Sequence, residues 1–189
     1  ALTNGKSEMM LATRKGKVCR FPEEKVRPMG RNASGVIGID LDDEGQDSNE
    51  VIGMICIQQP NANVLVVSEH GYGKRSEVEE YRITNRGGKG VKTINITEKT
   101  GNLVGIKSVT DKDDLMIITK NGIAIRLNVA DLRLMGRATQ GVRLINIQDD
   151  DAIAAVTQVE REDDEASETT PNNLNSSTDI NNTPSDHES

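Results

Sequence analysis

Three stretches of this chain follow one template, and that repetition restricts the possible folds more than any other feature. They read "RKGKVCRFPEEKVRPMGRNASGV" (14–36), "EHGYGKRSEVEEYRITNRGGKGV" (69–91) and "KNGIAIRLNVADLRLMGRATQGV" (120–142). In each, a glycine (Gly16, Gly71, Gly122) is followed four residues later by an arginine (Arg20, Arg75, Arg126). Eleven residues further comes a second arginine (Arg31, Arg86, Arg137), and four beyond that a Gly-Val pair (Gly35-Val36, Gly90-Val91, Gly141-Val142). The copies are offset by 55 and 51 residues.

Each copy carries a β pattern. "MMLATRKGKVCRF", "NVLVVSEHGYGKR" and "LMIITKNGIAIRL" are β-rich runs broken by glycine turns, as hairpins are. A further strand is expected after each Gly-Val ("GVIGID", "GVKTINI", "GVRLINI"), and a fourth after a polar turn ("EVIGMICI", "NLVGIKSV", "AIAAVTQV"). Four strands in about 50 residues predict an all-β, propeller-like array of four-stranded blades. Boundaries fall at about 1–60, 61–111 and 112–159, with one short helical turn at Val129–Leu134. Propellers close with roughly four to eight blades. Three blades and a first residue that is not Met make this sequence read as a piece of a longer domain.

The core has to be built from Val, Ile, Leu and Met, because Phe21, Tyr72 and Tyr81 are the only aromatic residues. Residues 1–148 carry a net charge of +4 and residues 149–189 a net charge of −11, together the −7 of the chain. A basic body points to a polyanionic partner, moderated by a tail of opposite sign. Residues 160–189 hold almost no large apolar side chain and are expected to be disordered. That tail either competes with a polyanion for the basic body or only solubilises the chain. Cys19 and Cys56 form no CxxC, and His70 and His187 no cluster, so neither a disulfide framework nor a zinc site is expected. No apolar run is long enough for a spanning helix, and a soluble cytoplasmic protein is expected.

An enzymatic reading finds little support. His70 sits in a Gly-containing turn, and the pairs Asp42-Asp43 and Asp113-Asp114 read as solvated loop carboxylates. "GGKGVKT" lacks the spacing of a nucleotide-binding loop. No catalytic residue, metal ligand or cofactor is expected within these residues.

The cations are better organised. Arg20, Arg75 and Arg126, and Arg31, Arg86 and Arg137, hold equivalent places in successive blades and so lie on a common rim. Arg14, Lys15, Lys17, Lys74, Lys89, Lys92 and Arg143 adjoin them in sequence. A curved positive band without aromatic platforms suits a duplex backbone better than single-stranded bases. Neighbouring glycines allow close approach and can offer N–H groups to phosphate. A repeat also copies structural residues, so some of these arginines can instead tie blade to blade through carbonyl or carboxylate partners.

"VRPMGRNASGV", "HGYGKRSEVEEYRITNRGGKGV" and "LRLMGRATQGVRLI" closely resemble the last three blades of the C-terminal domain family of DNA gyrase A subunits, type IIA topoisomerases. The likeness runs from the first residues to about residue 159, and the acidic tail resembles the end of those proteins. It implies a β-pinwheel, whose blades exchange a strand with a neighbour and which wraps double-stranded DNA around its rim. In the holoenzyme, an A2B2 assembly with the gyrase B subunit, ATP and Mg2+ working through that partner would drive the introduction of negative supercoils. The family's Q-R-R-G-G-K-G box is missing; residues 85–90 keep only R-G-G-K-G. The catalytic tyrosine domain is also missing, so these residues are not expected to act on DNA alone. The related topoisomerase IV A subunit, or a propeller that binds proteins, remain alternatives.

Overall fold

Both "EMMLAT" and "NVLVVS" carry four apolar residues in a row, a pattern that predicts strands covered on both faces. The computed structural model describes residues 1–41, 49–148 and 150–161. The acidic pair at 42–43, His187 and nearly all of the acidic tail lie outside these residues.

The strands are β1 (Glu8–Thr13), β2 (Lys17–Pro22), β3 (Val51–Ile57), β4 (Asn63–Ser68), β5 (Tyr72–Glu77), β6 (Val91–Lys92), β7 (Leu103–Val109), β8 (Asp113–Thr119), β9 (Ala124–Asn128), β10 (Val142–Arg143) and β11 (Ile153–Glu160). Short 3-10 turns follow β2, β5 and β9, the last over Val129–Asp131. Three antiparallel sheets result, ordered β3-β1-β2-β6, β10-β5-β4-β7 and β11-β8-β9. The all-β, propeller-like class expected from the repeats is the one observed.

The Gly-Val strands differ from the local expectation in two ways. They are only two residues long, and each joins the sheet of the preceding repeat: β6 pairs with β2, and β10 with β5. This is the exchange of strands that the resemblance implied. Val36-Ile37 joins no sheet among the described residues, and a parallel bridge between Ile39 and Gly88 forms nearby. The third sheet has three strands among the described residues, since no later Gly-Val turn follows in this sequence.

Packing explains these apolar runs. The side chains of β4 alternate between two cores: Val64 and Val66 face Met10, Val18, Ile55, Tyr81 and Ile94, whereas Leu65 and Val67 face Leu115, Ile117, Val129 and Ile153. The middle sheet is therefore covered on both faces, which is why its central strand is apolar throughout. Tyr81 is fully buried and shares a 2.6 Å hydrogen bond with Thr93. The edge strands β3, β7 and β11 pack on one another. A Cβ at Gly53 would stand 2.9 Å from the Ile106 side chain, so glycine lets β3 approach β7. The opposite sheet edges, β6 and β10, face away from this convergence.

Candidate nucleic-acid interface

The thirteen cations singled out from the sequence divide into two populations. The first joins the sheets. Arg20 leaves β2 with its side chain 12% exposed. Its Nε donates to Glu8 at 2.7 Å, and one terminal nitrogen donates to the carbonyls of Val78 and Tyr81, at 2.7 and 2.8 Å. Those carbonyls belong to the next repeat. Arg75 repeats the arrangement with Asp111 and the Leu132 carbonyl. Arg126, in the third repeat of this sequence, holds Asp114 at 2.6 Å, bonds no other group among the described residues and stays 45% exposed. Among the described residues the side-chain partners of Arg20 and Arg75 are carbonyls and carboxylates of the protein itself, so the donors that make these bonds are engaged internally.

Lys74 is 1% exposed and donates to the Gly136 carbonyl and to Thr139, both in the following repeat. Burial pushes its amine down to about 8; Glu80 works against the shift and Arg137 adds to it. The equivalent position in the first repeat is Cys19, which reaches Thr84 and the Asn85 carbonyl. Arg86 and Arg137 also bridge backward, donating to the carbonyls of Ile37 (3.1 Å) and Lys92 (2.8 Å). Arg14 spans Glu50 (3.1 Å) and Glu69 (3.2 Å), the latter in the next repeat.

The second population lies outward. Arg31 is exposed, and no hydrogen bond or ion pair holds its side chain among the described residues. Lys15 sits in the β1–β2 turn. Lys17 and Lys92 face each other across β2 and β6. Arg143 faces Tyr72 across β5 and β10. Lys89 lies on the glycine loop, where Arg82, Arg86 and Lys89 line a hollow of about 310 Å3 with the loop backbone.

That loop's glycines have a structural task. The Gly87 N–H donates to the Gly38 carbonyl at 2.7 Å, so it is not offered to a ligand. Gly90 has φ +71°, and a Cβ there would lie 2.8 Å from the Val18 carbonyl oxygen. Gly141 meets Gly73 in the same way, at 2.6 Å. The Gly-Val pair thus needs glycine to lay its strand on the preceding sheet.

Two carboxylates depart from the solvated-loop expectation. Asp113 and Asp114 open β8 and are buried; Asp113 accepts from the Thr110 amide and hydroxyl, and Asp114 holds Arg126. His70 is a turn residue, with Nδ1 donating to the Glu98 carbonyl at 3.0 Å. Among the described residues no group of three or more His, Cys, Asp or Glu could hold a metal. No helix among them is long and apolar enough to cross a membrane. Sequence reasoning passed over Tyr72, Arg82 and Lys99. Tyr72 occupies the repeat position of Lys17, a signal present in the alignment, whereas Lys99 has no cationic counterpart to mark it.

A family model described as "DNA gyrase C-terminal domain, beta-propeller" matches residues 7–57, 62–110 and 113–160. The chain belongs to the DNA gyrase C-terminal domain family. The DNA gyrase A subunit of Staphylococcus aureus strain MRSA252 is 47% identical over 168 residues, covering 88% of this chain and 18% of that protein. Its counterpart from strain NCTC 8325 is 47% identical over 169 residues, covering 88% and 19%. The chain therefore spans about a fifth of the length of these curated relatives. Among solved structures, a topoisomerase IV C-terminal domain matches with TM-score 0.77 at 22% identity, over 85% of this chain and 49% of that one. A DNA gyrase A C-terminal domain matches with TM-score 0.74 at 23% identity, over 82% and 52%. The three matched segments of the family model each run from the first strand of a repeat to its last long strand, in register with the sheets.

Proposed function

We propose that this chain is the DNA-wrapping part of a gyrase A subunit, gripping the duplex backbone along the outer edges of its sheets. The observation that carries this reading is the placement of Lys92 and Arg143 in β6 and β10, the sheet edges turned away from the convergence of β3, β7 and β11. Lys15, Lys17, Arg31 and Lys89 extend that cationic edge. The braces Arg20, Lys74 and Arg75 shape the rim without touching DNA. Contact is with phosphate and not with base edges, so bending of the duplex sets its preference for sequence. In the complete enzyme the domain would present a wrapped segment for strand passage. ATP and Mg2+ work through the B subunit, in the cytoplasm, and negative supercoils result. The 47% identity to gyrase A sequences favours gyrase over topoisomerase IV, whose structural likeness at 22% identity speaks only to the fold.

The test is duplex binding by the chain over a range of salt. Neutralising roughly six phosphates gives a slope of log K against log salt of about −5. Changing Lys89, Lys92 and Arg143 together to Gln should flatten the slope by about 2 to 3. A salt-independent wild type, or an unchanged slope in the triple variant, would refute the reading.

A further inference from the structure

At the second strand-exchange seam two cations converge on one aromatic ring. The Arg143 guanidinium lies 5.4 Å and the Lys99 ammonium 5.5 Å from the centroid of Tyr72. Arg143 also donates to the Tyr72 hydroxyl at 3.0 Å and to Asn146 at 2.7 Å. Both cations line a hollow of about 310 Å3 that Tyr72 floors. Two cations within reach of one ring repel each other, and the ring's negative faces offset this only in part. An anion between them would remove the conflict.

The first seam has the same plan in other residues. Lys17 and Lys92 are direct cross-strand partners, so two cations stand side by side there as well. Lys92 reaches Asn95 at 3.4 Å, the amide equivalent to Asn146. In both seams a cation beside the exchanged strand is anchored to the Asn three residues on and faces a second cation.

We propose that the second seam is a seat for one phosphate group of a duplex backbone, gripped by Arg143 and Lys99, with Tyr72 as the positioning residue between them. The inference deepens the DNA-binding reading and rests on it for the origin of the phosphate. Tyr72 holds the two cations by its faces and by its hydroxyl, so little side-chain freedom remains to be lost when phosphate arrives. Of the acidic neighbours, Asp151 is buried; one of its oxygens accepts from the amides of Asn121, in the β8–β9 turn, and Ala152, at 3.1 and 2.8 Å. Its other oxygen has no hydrogen-bond partner among the described residues, so it too opposes an anion. Glu98 is the exposed carboxylate on the hollow, and it opposes an anion there. The hydrogen bond from Arg143, aided by the charge of Lys99, holds the Tyr72 phenol below its ordinary pKa, as a strongly positive surrounding should.

The chain has two tyrosines and no tryptophan, and Tyr81 is buried, so ring-labelled tyrosine gives one reporter and one internal reference. Duplex DNA should move the Tyr72 ring signals and leave those of Tyr81 in place. The double variant R143Q/K99Q should lose that response and reduce the salt slope by about 2, one unit per cation, with an unchanged melting temperature. E98Q should tighten binding, and Y72F, which keeps the ring, should lose less affinity than Y72L. Inorganic phosphate, compared with chloride at matched ionic strength, separates the sources. A response to duplex alone assigns the seat to backbone phosphate; a response to both assigns it to a phosphate group of either origin. If the wild type binds duplex with its salt dependence but R143Q/K99Q keeps the full slope, or Tyr72 stays silent to both ligands, the seat is refuted and the DNA reading stands. If duplex does not bind while inorganic phosphate moves Tyr72, the seat survives and the DNA reading falls.

Discussion

Replacing Arg20 by Met tests whether the first arginine of each repeat is a brace or a contact. The substitution removes donors to Val78 and Tyr81, at 2.7 and 2.8 Å, and to Glu8 at 2.7 Å. A hydrogen bond from a charged group contributes roughly 1.5–3 kcal/mol. The two carbonyl bonds across the seam together account for about 4 kcal/mol. The pair with Glu8, whose side chain is 25% exposed, adds less than about 1 kcal/mol after solvent screening. For a folded body of this size each kcal/mol lowers Tm by about 2–4 °C, so Arg20→Met should lower it by roughly 10 °C. Arg126→Met is the control within the chain. Among the described residues Arg126 bonds no carbonyl of another repeat and holds Asp114 while 45% exposed, so its loss should cost less than that of Arg20, mainly by leaving the buried Asp114 without its cation. Circular dichroism melts measure both, and duplex binding across salt, taken below the transition, should show the wild-type slope for Arg20→Met. A melt within about 2 °C of wild type, accompanied by a slope reduced by about 1, would overturn the brace assignment and put Arg20 on phosphate.

Lys74 predicts a stability that depends on pH. Its folded amine titrates near 8 against 10.5 in the free side chain, so between those values the unfolded chain holds a proton the folded one has released. Stability should therefore rise with pH across that window and be flat below it, and Lys74→Met should remove the rise; urea midpoints at intervals through the window measure this. Gly90→Ala combines a left-handed backbone with a Cβ 2.8 Å from the Val18 carbonyl and should cost about 2–4 kcal/mol. Gly35→Ala, with φ +86° but nothing within 4 Å, should cost only the backbone term of about 1–2 kcal/mol. Equal losses in urea unfolding of the two variants would remove the close-approach argument.

The repeat made the strands legible because hairpin glycines and β-branched runs act locally. The sheet to which each Gly-Val strand belongs is not a local property. Val91 could pair within its own repeat or with the preceding one, and the choice is made by Val18 and Lys17, over 70 residues away. The cationic site was legible as a set and not as individual roles. Arg20 and Arg126 hold the same template position, yet one is largely covered between sheets and the other half exposed, because among the described residues only the first bonds carbonyls of another repeat. Lys74 follows "GYG" just as a phosphate-binding lysine would, and its burial depends on Gly136 and Thr139 of the next copy. Asp113 and Asp114 look like turn residues until Thr110 and Arg126 are seen to hold them.

The exchanged strands also determine how force passes along the chain. On the proposed reading, a bent duplex pulling outward on Lys92 would load a strand that is laced into the ladder of β2 and tied by its carbonyl to Arg137 of the following repeat. Three successive repeats therefore share the load at one residue. Neighbouring sheets cannot swing open like beads on a string, because parting them means drawing a strand out of its ladder and breaking the arginine tie together. On that reading the strain of a curved duplex would be spread over all three repeats and not borne by one sheet.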